Sequence, residues 1–198
     1  MSGKVIRAAA VAALGLIVWP SAARATFHEW RISEVYSSGS VQFVEFQQPS
    51  VAVDDESFVG GQTLTDSSLG HTFTFPANLP SVPTANSHFL VGTTAYAALS
   101  GVPAPDYVIP NNFFNPAGDT LTYASFVDTF TFTGAQLPSD GVHSLARASW
   151  NSTTLATPVN SPTNLAGATG SVSAPEPAGA AIVMMPLLLA VTRRRARR

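Results

Sequence analysis

Turn-forming residues cut the stretch from Thr26 to Trp150 into short pieces, and this limits the fold more than any other feature. Pro76, Pro80, Pro83, Pro110, Pro116 and Pro138 fall in the gaps between runs of three to seven β-prone residues. Proline removes a backbone donor and fixes φ, so a central helix or long strand cannot pass through these points. The runs predict strands at Trp30 to Tyr36, Val41 to Phe46, Gln62 to Thr65, Thr72 to Phe75 and His88 to Gly92. Further strands are predicted at Tyr107 to Ile109, Thr120 to Tyr123, Asp128 to Thr133 and Ser144 to Ala148. Ser-Ser-Gly-Ser between the first two has the length of a hairpin turn. Only Thr94 to Leu99 invites a short helix. Many short strands separated by turns predict an all-β sandwich or barrel.

The side chains specify how such strands stack. Trp30 and Ile32 are expected to face inward, with Val35 ambiguous. Phe73 and Phe75, like Phe130 and Phe132, sit two apart and share a face. Burying each contributes about 1.5–3 kcal/mol, enough for such pairs to set register.

Charge is scarce and segregated. Only 11% of the chain is charged, against about 25% in an average soluble protein. Between Thr26 and Pro175 there is no lysine, and Arg31 and Arg147 stand against eleven acidic residues, a formal charge of −9. Such a domain repels phosphate backbones, so nucleic acid is not an expected partner. The absence of cysteine removes disulfides, thiolate metal sites and cysteine nucleophiles.

Both ends read as addresses. Residues 1–25 combine Lys4 and Arg7, the apolar stretch AAAVAALGLIVW, Pro20, and Ala23-Arg24-Ala25, a small-x-small cleavage site. This predicts a signal peptide engaging the secretion translocon and cut before Thr26, with an uncleaved anchor as the alternative. Residues 26–150 form the β domain. Residues 151–174 carry no charge and no aromatic ring, and are rich in Ser, Thr, Pro, Gly and Asn. They predict a flexible stalk, whose start could hold one last strand. Residues 175–198 hold an uncharged stretch from Pro177 to Thr192, interrupted by Pro186, then Arg193, Arg194, Arg195, Arg197 and Arg198. Its 16 residues as a helix cover roughly 24 Å, short of a ~30 Å hydrocarbon core. The expectation is a short transmembrane helix with its arginines on the cytoplasmic side.

Pro175-Glu176-Pro177, followed at once by that apolar stretch and the arginines, resembles the PEP-CTERM sorting signal. The resemblance implies an exosortase, a membrane-embedded processing enzyme of exopolysaccharide-producing Gram-negative bacteria, that cuts near the triplet. A plain tail anchor is the alternative. A second resemblance lies within the β domain. WRISEVYSSGSVQFVEFQQ, GGQTLTDSSLGHTFTFP and HFLVGTTAYAALSGVPAPD are similar to segments of lamin-tail-type domains. That likeness implies an immunoglobulin-like β-sandwich with a binding or scaffolding role.

Candidate chemistry is sparse. His28, His71, His88 and His143 stand singly and form no metal-ligand motif. Asp54-Asp55-Glu56 offers hard oxygen ligands for Ca²⁺ but lacks the D-x-D-x-D-G spacing, and is expected to be a solvated loop. No other cofactor is expected. Glu34 and Glu45 could serve glycoside hydrolysis only across a cleft, and on adjacent strands are expected on the solvent face. Trp30, Trp150, Tyr36, Tyr96, Tyr107 and Tyr123 are expected mostly in the core, with stacking on sugars the alternative. The chain therefore reads as an exported, exosortase-processed surface or matrix protein, transiently membrane-anchored, structural or adhesive and not an enzyme. Alternatives are a module binding exopolysaccharide and a secreted hydrolase.

Overall fold

A computed structural model describes residues 27–49, 56–80 and 83–173 of the chain. The signal-peptide residues Ala23, Ala25 and Thr26, the acidic pair Asp54-Asp55, and the tail from Pro175 to Arg198 lie outside the described residues. Among the described residues, no helix is long and apolar enough to cross a membrane.

The described residues form ten strands and one helical turn, in order: β1 Arg31–Ser38, β2 Val41–Gln47, β3 Thr63–Asp66, β4 Thr72–Thr74, β5 His88–Thr93, α1 Thr94–Ala97, β6 Tyr107–Ile109, β7 Gly118–Tyr123, β8 Asp128–Thr133, β9 Leu145–Arg147 and β10 Leu155–Ala156. They form a six-stranded sheet, β10-β9-β1-β2-β5-β6, and a four-stranded sheet, β4-β3-β7-β8. Every pairing is antiparallel except β5 with β6. The fold is all-β and sandwich-like, and each predicted strand is present.

The main core lies between the sheets. Ile32, Val35, Val44, Phe46, Phe89 and Val91 of the larger sheet meet Leu64, Leu121, Tyr123, Phe130 and Phe132 of the smaller one. Phe75, one residue past β4, joins them and meets Phe46, Phe89, Tyr107 and Tyr123 edge-on. Edge-on contacts suit the ring quadrupole, so the aromatic centre gains beyond area burial alone.

The first hairpin settles the ambiguity at Val35. Its two-residue turn places Gly39 at φ 63°, where glycine carries no Cβ penalty. Further along, Ile32 opposes Phe46 but Glu34 opposes Glu45, so Ser33 is an extra residue in β1. Such a bulge inverts the alternation beyond it. Ile32 and Val35 therefore both point to the main core, while Glu34 and Tyr36 turn to the opposite face.

That opposite face is covered too. Tyr36 stacks on Phe43 at 5.3 Å, and Tyr96 meets Phe43 edge-on. With Leu90 and Val172 they make a second, smaller core. Tyr96 comes from α1, where Thr93 Oγ1 accepts the Tyr96 N–H as an N-cap. Gly92 beneath it is required: a Cβ there would stand 2.5 Å from Tyr96 Cδ1.

Residues 151–173 correct the expectation of a flexible stalk. They supply β10, a bridge from Val159 to His143, and a strap that lies on the outer face of the larger sheet. Pro158 and Pro162 favour extended backbone, which suits docking as well as it suits a linker. Composition alone does not separate the two.

Candidate functional site

The strap rests on a row of carboxylates. Glu34 on β1 and Glu45 on β2 face each other in register, and Asp106 stands just before β6. Glu34 Oε1 accepts the Ser161 N–H at 2.9 Å, and Oε2 accepts the Ser161 hydroxyl at 3.2 Å. Glu45 Oε2 accepts the Thr163 N–H at 2.6 Å, and Asp106 Oδ2 accepts those of Leu165 and Leu90 at 3.0 and 2.8 Å. Backbone donors at 161, 163 and 165 thus meet three acidic side chains in succession. An extended segment directs alternate N–H groups to one side, so carboxylates take the role of a neighbouring strand.

Glu34 and Glu45 are therefore not on a solvent face, because the strap buries them both. All four of their oxygens are engaged. Glu45 Oε1 also meets His88 Nδ1 at 2.7 Å and accepts the Ser33 hydroxyl at 3.1 Å. Their arrangement holds backbone amides of the strap.

Electrostatics add a measurable consequence. Burial pushes the Glu34 carboxyl above its ordinary 4.5, and the nearby Glu45 charge pushes the same way against the bonds from Ser161. A carboxyl raised in the folded state binds a proton there more readily than in the unfolded chain. Its contribution to stability is thus greatest at low pH and declines as pH rises above 4.5 through the folded value. Glu34→Gln, which mimics the neutral form, should flatten the fall of unfolding free energy as pH rises above 4.5. Urea unfolding at several pH values checks this, and an unchanged slope would remove Glu34 as a source.

Other acidic side chains do similar work on loops. Glu56 is buried, correcting the expectation of a solvated cluster at its position. Its carboxylate accepts the Glu29 N–H, its carbonyl accepts Trp30 Nε1–H, and its own N–H donates to Thr84 Oγ1. Asp66 accepts the N–H groups of Ser68, Leu69 and His71, while Asp119 accepts those of Ser67, Ser68, Asn115 and Thr120. Burial raises Asp119, reinforced by Asp66. Asp66 itself is lowered, because its hydrogen bonds outweigh burial.

The four histidines, single in sequence, each approach one carboxylate: His28 with Glu56, His71 with Asp66, His88 with Glu45 and His143 with Asp140. Among the described residues, no three potential metal-ligating side chains gather. Five of the six tryptophan and tyrosine side chains singled out are buried. Trp150 is half-buried, with the Arg31 guanidinium 5.4 Å above its ring. These six do not form an exposed row.

One groove of about 210 Å³ opens beside β8, β9 and β10, lined by Thr129, Phe130, Thr131, Arg147, Thr153 and Leu155. Arg147 is its charged group, but the guanidinium is already bonded to Ile32 O, Ser152 O, Thr129 O and Asp128. What remains is a shallow surface of hydroxyls and two apolar side chains.

Sequence reasoning missed Asp106, Asn160 and the strap donors. Asp106 lacked an acidic neighbour in sequence, and the strap donors are main-chain groups that leave no residue signature. No family model matches the chain, and neither a curated protein nor a solved structure is similar to it.

Proposed function

We propose that this chain is an exported, tail-sorted protein of the cell surface or extracellular matrix, whose β domain is structural or adhesive and not catalytic. The observation that carries this reading is the use of its acidic side chains. Glu34, Glu45, Glu56, Asp66, Asp106, Asp119 and Asp128 all bind backbone amides of the domain itself. Groups that elsewhere do acid–base or metal chemistry here join segments to each other. This suits a module that must keep its shape outside the cell without disulfides.

Export and sorting rest on the sequence: the Ala23-Arg24-Ala25 site before Thr26, the Pro175-Glu176-Pro177 triplet, and the arginines from Arg193 to Arg198. On this reading the partners are the translocon and an exosortase-type enzyme, then surface proteins or exopolysaccharide. The domain's two β-sheets are in keeping with an immunoglobulin-like scaffold of the lamin-tail type. A sugar-stacking platform draws no support from the tryptophan and tyrosine side chains named above, since five of the six are interior.

The test is mass spectrometry of the C-terminal peptide from surface and medium fractions of a producing Gram-negative host. A terminus near the triplet, with the arginines gone, is the expected result. An intact Arg198 in the membrane fraction would mean a permanent tail anchor and overturn the sorting reading.

A further inference from the structure

The strap closes on itself through one side chain. Asn160 is buried, and its Oδ1 accepts the Val172 N–H at 2.6 Å while its Nδ2 donates to Val172 O at 2.8 Å and to Val142 O at 2.6 Å. Val172 is itself buried against Tyr36, Phe43 and Tyr96. After this clamp only Ser173 and Ala174 precede Pro175-Glu176-Pro177. Two extended residues span at most about 7 Å.

Proteolytic sites take their substrate as an extended segment lying on both sides of the bond that breaks, much as sheet edges take peptide strands. A docked strap leaves too little free chain before the triplet to enter such a cleft without the folded domain colliding with the enzyme. Release back to Ala156 would free the 18 residues 157–174, about 60 Å of extended chain. Release is also local. The buried residues of the main core include none from the strap, whose Leu165 only packs at the edge. Apart from Val172 in the smaller core and the edge contact of Leu165, hydrogen bonds to carboxylates hold the strap, the kind of element that opens without global unfolding.

We propose that residues 160–172 are a latch that withholds the tail from cleavage until the Asn160 clamp and the carboxylate row let go. This rests on the sorting reading above. Asn160→Ala loosens the clamp, and Thr163→Pro removes the donor to Glu45 from the strap side, leaving the sheet residues untouched.

The full chain and both variants would be produced in a Gram-negative host carrying an exosortase-type enzyme, with the rate of loss of the Arg193–Arg198 end followed by mass spectrometry. Amide hydrogen exchange on the purified proteins reports docking separately. Slow exchange at Ser161, Thr163, Leu165 and Val172 is expected in the parent, and at least about tenfold faster exchange at the remaining strap amides in the variants. Protection in β1, β2 and β5 should be retained, and tail loss should be several-fold faster. Equal cleavage rates with a loosened strap would overturn the latch while leaving sorting intact. No cleavage in any of the three proteins would overturn both, and fast exchange along the parent strap would overturn the latch by itself.

Discussion

Arg147→Ala should lower the unfolding free energy by about 3–5 kcal/mol, the range for breaking a buried ion pair from one side. Arg147 on β9 and Asp128 at the start of β8 are both more than nine-tenths buried, with Nη2 at 3.0 Å from Oδ1. They clip the two sheets together at the point where the Ser33 bulge interrupts pairing. Asp128 Oδ2 accepts the Ile32 N–H at 2.7 Å, and Arg147 Nε donates to Ile32 O at 2.8 Å. The other guanidinium donors reach Ser152 O and Thr129 O. Alanine would remove the guanidinium donors to three carbonyls and leave the Asp128 carboxylate in a site where burial already pushes its pKa up, against the pull of Ile32 N–H and Arg147. For a domain of this size, each kcal/mol moves Tm by roughly 2–4 °C, so a fall of about 10 °C is expected. Arg147→Lys keeps the charge without the planar fork and should fall between. A loss below about 1 kcal/mol in urea would mean that the pair behaves as a solvated surface bridge.

Trp30→Ala should be comparable, at about 3–5 kcal/mol for truncating a large buried aromatic. Trp30 is fully buried just before β1 and packs edge-on to Phe89 at 4.7 Å. Its Nε1–H also donates to Glu56 O at 2.6 Å, tying the segment that leads to β3 onto the core. Trp30→Phe separates the two contributions. It keeps most of the packing and loses the hydrogen bond, so about 1–2 kcal/mol is expected for that change. Urea midpoints of the three proteins decide the matter. If phenylalanine proves as damaging as alanine, the bond to Glu56 and not the packing of the ring holds this corner.

Much of the fold was legible in advance because strand formation here is local. The runs around Phe73, Phe130 and His88 are bounded by proline and glycine, and each emerged as a strand within a few residues of its expected limits. Phe130 and Phe132 share the core face that their spacing required. The site was barely legible. Glu34 and Glu45 were expected on a solvent face, and the bulge does turn Glu34 away from the main core; what short-range pattern cannot show is that a segment 118 to 127 residues away covers that face. Asp128 and Arg147 are ordinary charges in sequence, and only the meeting of β8 with β9 makes them a buried pair.

The sequence by itself determined the all-β class, the strand positions and the acidic character of the domain, because each depends on residue type and short-range spacing. Only the tertiary structure decided that residues 151–173 are a docked strap and that three distant carboxylates hold it. Backbone amides carry no residue code, so a segment that binds through them looks the same in sequence whether it is a free stalk or a docked strap.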